Sequence, residues 1–333
     1  MRSALLTLLT CALAAPPAQP SSGAFFPVGI DYPPDARTSS AEIARDLQAV
    51  RAAGFNAIRT AIRWREGEYR FDALRRTLEM ADRSGLRVIL HIEGACPAGA
   101  AELAERVRFV AAAAKAAARF ESLLAVDVGG SSAADPCRAD LVDAARREVP
   151  ADASVDPYGT RVDTAMSAAA VGSKFDEVAA SSPRGWWLYV GAVPEPDRRF
   201  TAWMAISRGA QGLIFEDPPR DAGFIRTIAS NPALFTQVRP RLSRAPETRI
   251  DGGANIDVRF LESPTVQMIV ALNHAERAQR VTMTFPPETQ EAIWLNMETG
   301  TSVHFVAGPL GPLYQYWFRP KDALVLMIRK DIR

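Results

Sequence analysis

Seven carboxylates stand at or near the ends of apolar, β-type runs: Asp31, Glu93, Asp127, Asp156, Glu195, Glu216 and Asp217. A carboxylate at the tip of a strand can give or take a proton, or bind a polar ligand through charge-assisted hydrogen bonds. Glu93 follows LRVILHI and Glu216 follows GLIF, so this pair is the candidate for divided acid and base work. Polar loop packing or ligand contact is the alternative for both. Asp127 lies among valines in LLAVDVGGSS, Leu123 to Ser132, where a buried carboxylate needs a partner. Arg59, inside FNAIRTAI, is one, and the two then form an internal salt bridge. Glu195, in VPEPD, reads as a solvated loop residue.

Other chemistries find less material. The histidines are His91, His274 and His304, with no H-x-x-x-H spacing and no Cys/His cluster, so no metal site is expected. GGSS lacks the nucleophile-elbow pattern, and a Ser-His-Asp triad would rest on His91 alone. No G-x-G-x-x-G turn follows a strand, which leaves a dinucleotide without its cradle. No cofactor is therefore implied. A net charge of +1 gives no footprint for nucleic acid.

Two cysteines remain if the first residues are removed. Arg2, the apolar run SALLTLLTCALAA and Ala12-Leu13-Ala14 read as a signal peptide with an A-x-A cleavage site, and Pro16 to Ser22 reads as a linker. Cys11 admits a lipoprotein signal as the alternative, although Thr10 fits that pattern poorly. Export leaves Cys96 and Cys137, compatible with one disulfide between adjacent loops or with two free buried thiols. No later apolar run approaches the roughly 20 residues of a membrane span.

The elements that must position these groups alternate. Strand-type runs at Phe25–Tyr32, Phe55–Ile62, Leu86–Gly94 and Leu123–Ser132 are separated by helical segments at Ser39–Ala53, Asp72–Ser84 and Ala101–Arg119. The rhythm continues through a helix at Asp140–Arg147 and strands at Ala153–Asp156, Phe175–Val178, Trp186–Val190 and Gly212–Glu216. Helices at Phe200–Arg208 and Phe224–Gln237 complete it. Strand–helix alternation with short links implies right-handed βαβ units, and about eight of them imply an α/β (β/α)8 TIM barrel. After Pro240 short β-type runs, Ile256–Leu261 to Ala323–Arg329, are split by Gly, Pro and Asn turns. The expected division is 1–22 signal peptide and linker, 23–240 barrel, and 247–333 a small antiparallel β-sandwich.

The stretch Asn56 to Leu90, with Arg59, Trp64 and EGEYRFD (Glu66 to Asp72), resembles the second and third strand units of retaining (β/α)8 glycoside hydrolases, most of all family-42 β-galactosidases. FFPVGIDYPP is similar to that family's first strand, and Trp186 to Phe215 to its seventh and eighth units. The C-terminal β region is similar to its accessory domain. The resemblance implies two glutamates facing each other across a sugar, an acid/base after strand four and a nucleophile after strand seven, about 5 Å apart. Gly130 and Ser131 stand where the family has Asn-Glu, and Val190 stands where it has the nucleophile. Neither serine nor valine can do that work.

Aromatic side chains near strand ends, Tyr32, Trp64, Trp186, Trp187 and Tyr189, offer flat faces for sugar rings, with core packing as the alternative for each. Alternation along a strand sends Trp186 and Trp187 to opposite faces. The expected substrate-contacting set is Asp31, Tyr32, Arg59, Trp64, Asp127, Trp187 and Tyr189, with Glu93 and Glu216 as the candidate catalytic carboxylates. Three functions follow: an exported saccharide-binding protein without the retaining pair, an active hydrolase using relocated carboxylates, or a non-catalytic interaction protein of an envelope polysaccharide system. The partner in each is an oligo- or polysaccharide.

Overall fold

Helix signals in the sequence are strong enough to fix several elements locally. Ser39 and Glu42 form a reciprocal capping box at the start of one helix, and Gly85 ends the next in a left-handed conformation. The computed structural model describes residues 25–33, 37–65, 67, 69–129, 136–155, 159–162, 168–182, 186–191, 193–219, 223–241, 248–287 and 293–329. Gly130, Ser131, Asp156 and the N-terminal leader lie outside the described residues.

The first half runs β1 (Val28–Asp31), α1 (Ser40–Ala52), β2 (Ala57–Arg63), α2 (Asp72–Ser84), β3 (Arg87–Glu93), α3 (Ala100–Ala117), β4 (Leu123–Asp127) and α4 (Arg138–Arg146). It continues through β5 (Ser154–Val155), β6 (Gly159–Arg161), α5 (Ala168–Ser181), β7 (Trp186–Val190), α6 (Glu195–Ser207), β8 (Ala210–Phe215), α7 (Gly223–Ala229) and α8 (Pro232–Gln237). The eight strands make one parallel sheet in the order β5-β4-β3-β2-β1-β8-β7-β6. Its two outer strands, β5 and β6, are consecutive in the chain and only residues 156–158 separate them. Parallel strands lying side by side need a crossover of about a dozen residues or more. Among the described residues β5 accordingly bonds to β4 and β6 to β7, with no ladder between β5 and β6. The curled sheet with helices outside it is TIM-barrel-like.

Three expectations change. Phe175–Val178 is not a strand but part of α5, where Val171, Phe175 and Val178 bury one stripe at i, i+4 and i+7. The alanines around FDEV and that spacing outweigh its short β-like run. Glu195 opens α6, with Pro194 at its N-cap, instead of sitting in a loop. The last helical segment is two helices, because Pro232 cannot continue α7.

The remaining chain forms two antiparallel sheets. One orders β15 (Ser302–Val303), β14 (Trp294–Asn296), β17 (Ala323–Arg329), β12 (Val266–Asn273), β11 (Ile256–Glu262) and β9 (Arg239–Pro240). The other orders β10 (Arg249–Asp251), β13 (Gln279–Thr284) and β16 (Leu313–Phe318). Period-2 alternation divides the larger sheet between two cores. Leu261, Met268, Val270, Leu272 and Val325 join the core that also holds Phe200 and Trp203 of α6. Phe260, Ile269, Ala271, Leu324 and Leu326 face the smaller sheet's Val281, Met283 and Phe318.

Polar contacts fasten α6 to the β region. Arg199 donates to Glu298, to Asp322 Oδ1 at 2.8 Å and to the Ala323 carbonyl, while Trp203 Nε1 donates to Glu298 Oε1 at 2.8 Å. Lys321 closes the edge on Asp197 at 2.7 Å.

Candidate functional site

Alternate residues of β1, β2, β3, β4 and β7 point into the barrel, and the sequence loads that inner face with apolar groups low down and polar groups near the strand tips. Ile89, Leu124, Ala125 and Ile214 make a small inner cluster with Phe25, Trp187 and Tyr189 packed on it. Toward the C-terminal ends, where sites of such folds are built, Asp31, Arg59, His91, Asp127 and Tyr189 meet. Arg59 Nη1 donates to both oxygens of Asp31, at 3.1 and 3.0 Å. Its guanidinium lies 5.1 Å from the centre of the Tyr189 ring, a cation–π contact.

Asp127 is the hub. One of its oxygens, Oδ2, stands 2.8 Å from His91 Nδ1 and 3.4 Å from the Tyr189 hydroxyl, with Arg59 Nε at 3.9 Å. The expected Asp127–Arg59 salt bridge is thus the longest of three contacts, and Asp31 is the nearer partner of Arg59. Asp127 Oδ2 and His91 Nδ1 thus share one hydrogen bond between neighbouring strands. Burial pushes the Tyr189 phenol well above its ordinary pKa, and the Asp127 charge pushes it further, so it stays a neutral hydrogen-bonding group.

Glycine makes the dyad possible. A Cβ at Gly129 would fall 1.8 Å from His91 Cε1, so any side chain there would displace the imidazole. The first glycine after β4 is therefore required by His91, on the neighbouring strand. Arg106, buried on α3, donates to the carbonyls of Gly94, Ala95 and Gly129 and so ties the loops after β3 and β4 together. The disulfide Cys96–Cys137, with Cα atoms 6.0 Å apart, links the same two loop regions covalently.

The outer rim carries the two candidate catalytic carboxylates, each held by an arginine. Glu93 accepts from Arg63 at 3.1 Å, and Glu216 meets Arg161 of β6 at 2.6 Å. Gly191 leaves room for the second pair, since a Cβ there would lie 2.9 Å from the Glu216 carboxyl carbon and from Arg161 Nη2. Asp217 pairs with Arg198 at 3.5 Å on the surface.

Several expected site residues lie elsewhere. Val190 is fully buried in the core between sheet and helices. Alternation puts it on the outer face of β7, and the in-facing positions at that tip are Tyr189 and Gly191. Tyr32 likewise turns outward, donating to Asp46 of α1 at 3.1 Å, because Asp31 takes the inner face. Burial first, then Asp46, raises the Tyr32 pKa. Trp186 packs on Phe175, outside the barrel. Trp187 faces inward but lies beside Pro27 and Gly212, below the polar layer. Trp64 leans on the main core, its buried indole N–H without a hydrogen-bond partner among the described residues. His91, Gly129, Gly191 and Arg161 are the site residues that sequence reasoning missed. Period-2 alternation in RVILHIE places His91 between Ile89 and Glu93 on one face, which was the available signal.

Among the described residues no group of three or more His, Cys, Asp or Glu is placed to hold a metal ion. Among the described residues no helix is long and apolar enough to cross a membrane.

No family model matches the chain, and no curated protein matches it significantly. Solved structures do. A catalytic mutant of a GH42 β-galactosidase from G. stearothermophilus aligns at a TM-score of 0.64 and 9% identity, over 92% of this chain and 98% of that one. A putative α-N-acetylgalactosaminidase from Bacillus halodurans aligns at 0.58 and 11%, over 92% and 97%. A family-30, subfamily-8 xylanase from Clostridium acetobutylicum aligns at 0.56 and 9%, over 92% and 96%. At such identities the likeness is one of fold, the TIM-barrel-like fold of glycoside hydrolases.

Proposed function

We propose that this chain is an exported, glycoside-hydrolase-like protein that binds an oligo- or polysaccharide in the barrel mouth and lacks the usual retaining pair of carboxylates. One observation carries the reading: the in-facing positions at the tip of β7 are Tyr189 and Gly191, neither of them a carboxylate, beside a polar layer able to engage hydroxyls. Asp31, Arg59, Asp127, His91 and Tyr189 supply linked acceptors and donors near the strand tips, which suits a ligand rich in hydroxyl groups. Export is supported by the leader-like N-terminal sequence and by the Cys96–Cys137 bond, which suits an oxidising compartment. The two-part division, barrel over 23–240 and β-sandwich over 247–333, is supported by the separate core between the antiparallel sheets.

Calorimetric titration with xylo-, galacto- and malto-oligosaccharides tests the reading. Binding to one of them that Asp127→Asn weakens, with no hydrolysis of the bound sugar, is expected. Binding that survives Asp127→Asn unchanged would remove the mouth from consideration.

A second reading, hydrolysis by relocated carboxylates, is favoured by Glu216 occupying the space above Gly191. An inverting pair needs its carboxyl groups about 6.5–9.5 Å apart. Turnover that Glu93→Gln and Glu216→Gln each abolish would establish it over the binding-only reading.

A further inference from the structure

The smaller antiparallel sheet has an outer face unrelated to the barrel mouth. Along β13 and β16 the inward residues are Val281, Met283, Tyr314, Tyr316 and Phe318. The alternate residues therefore face out, and the register sets them side by side: Trp317 opposite Arg280, Gln315 opposite Thr282, and Asp251 of β10 beside Thr282. Trp317 is 62% exposed, on an edge strand of that sheet. An indole so exposed presents a flat apolar face to a ligand.

The neighbours say what kind of cover fits. Arg280 Nη2 donates to Gln315 Oε1 at 2.6 Å, so the guanidinium and the amide are held as a fixed polar border beside the indole. Asp251 lies one strand further, paired with Arg249 at 3.3 Å. A protein partner needs a broad apolar centre, and a standard interface covers about 800 Å² on each side. Here a single flat aromatic is bordered by a guanidinium, an amide, a hydroxyl and a carboxylate. A pyranose ring has the matching form, with a C–H face to stack on indole and hydroxyls at its rim to reach those groups.

We infer that the outer face of the β10–β13–β16 sheet, centred on Trp317 with Arg280 and Gln315, is a second saccharide-binding site. It stacks one pyranose unit of an oligo- or polysaccharide and works independently of the barrel mouth. Its chemistry makes it an anchoring site that holds a long chain near the barrel.

Limited N-bromosuccinimide oxidation of the whole protein, with peptide mass spectrometry, reads Trp317 separately from every other tryptophan. The probes are xylohexaose, galactotetraose and maltohexaose. At least one of them is expected to slow Trp317 oxidation severalfold, in wild type and in Asp127→Asn alike. Gln315→Ala, which leaves the indole in place, is expected to remove most of that protection. Equal oxidation rates with and without all three sugars overturn the inference. So does protection that appears without sugar as protein concentration rises, which would assign the face to a second copy of the chain. Protection in wild type that Asp127→Asn abolishes would also overturn it, because the sugar would then act from the mouth.

Discussion

Replacing Arg199 by methionine tests how the barrel and the β region are held together. The guanidinium bonds Glu298, Asp322 and the Ala323 carbonyl, and the three side chains are only 24%, 18% and 12% exposed. Burial works to lower the Arg199 pKa, but the Glu298 and Asp322 carboxylates outweigh it and hold it above the ordinary arginine value. The side chain is therefore charged at every working pH. Its contribution is present throughout and would be lost only above the arginine range. Methionine keeps the apolar stem and removes the charge, leaving two carboxylates without their cation.

Removing one partner of a buried pair costs about 3–5 kcal/mol. Two features reduce that here. Glu298 keeps the Trp203 indole N–H, and Asp322 keeps the backbone N–H groups of Arg319 and Ala323. A loss of about 2–3 kcal/mol is the reasoned value. With an unfolding entropy of about 2.1 cal/mol/K per residue, that lowers the melting temperature by about 3–5 °C. Urea unfolding and scanning calorimetry would measure it, with Arg83→Ala as the comparison. Arg83 meets Glu79 at 2.6 Å, but the side chains are 68% and 49% exposed, so its removal should cost about 0–0.5 kcal/mol. Arg199→Met behaving like Arg83→Ala would refute the argument, since burial would then not set what an ion pair contributes.

Further outcomes follow from the same structure. Cys96→Ser with Cys137→Ser opens a loop of sequence separation 41, and chain entropy puts the loss at about 4 kcal/mol; denaturation with and without reductant reads it. Gly129→Ala should displace His91 from Asp127, costing about 1–3 kcal/mol and weakening any ligand of the mouth; an unchanged melting temperature would show that the ring can move aside freely. His274, edge-on to Phe200 at 5.3 Å, has its pKa lowered chiefly by burial. Its neutral form is the folded one, so its contribution is full above the ordinary histidine value near 6.5 and fades as pH falls below it. Stability should decline less between pH 7.5 and 5.5 in His274→Gln than in wild type, and parallel declines would discount burial as the cause.

What the sequence made legible follows from which signals are local. The strand–helix alternation of the first four units and the Gly85 stop are carried by neighbours within a few residues, and these elements form as read. Phe175–Val178 misleads because four residues of β-like composition cannot reveal that Val171 completes a helical stripe with them. The site is harder still, because its members come from different strands. Asp127 was recognisable as a buried carboxylate in need of a partner, but the choice among Arg59, His91 and Tyr189 depends on register between β2, β3, β4 and β7.

Register also decides which residues of β7 face the mouth. An alignment compares letters at a position, whereas a strand offers only every second residue to the mouth. Val190 is the wrong residue to compare, for it belongs to the helix-facing core. The in-facing position one step on is Gly191, and that glycine is the space that Glu216 and Arg161 fill. Gly129 is the same device after β4, emptied for His91. In both places an absent side chain marks where a neighbouring strand has placed a charged or titratable group. A glycine at the tip of a barrel strand is therefore a pointer to the next strand's chemistry.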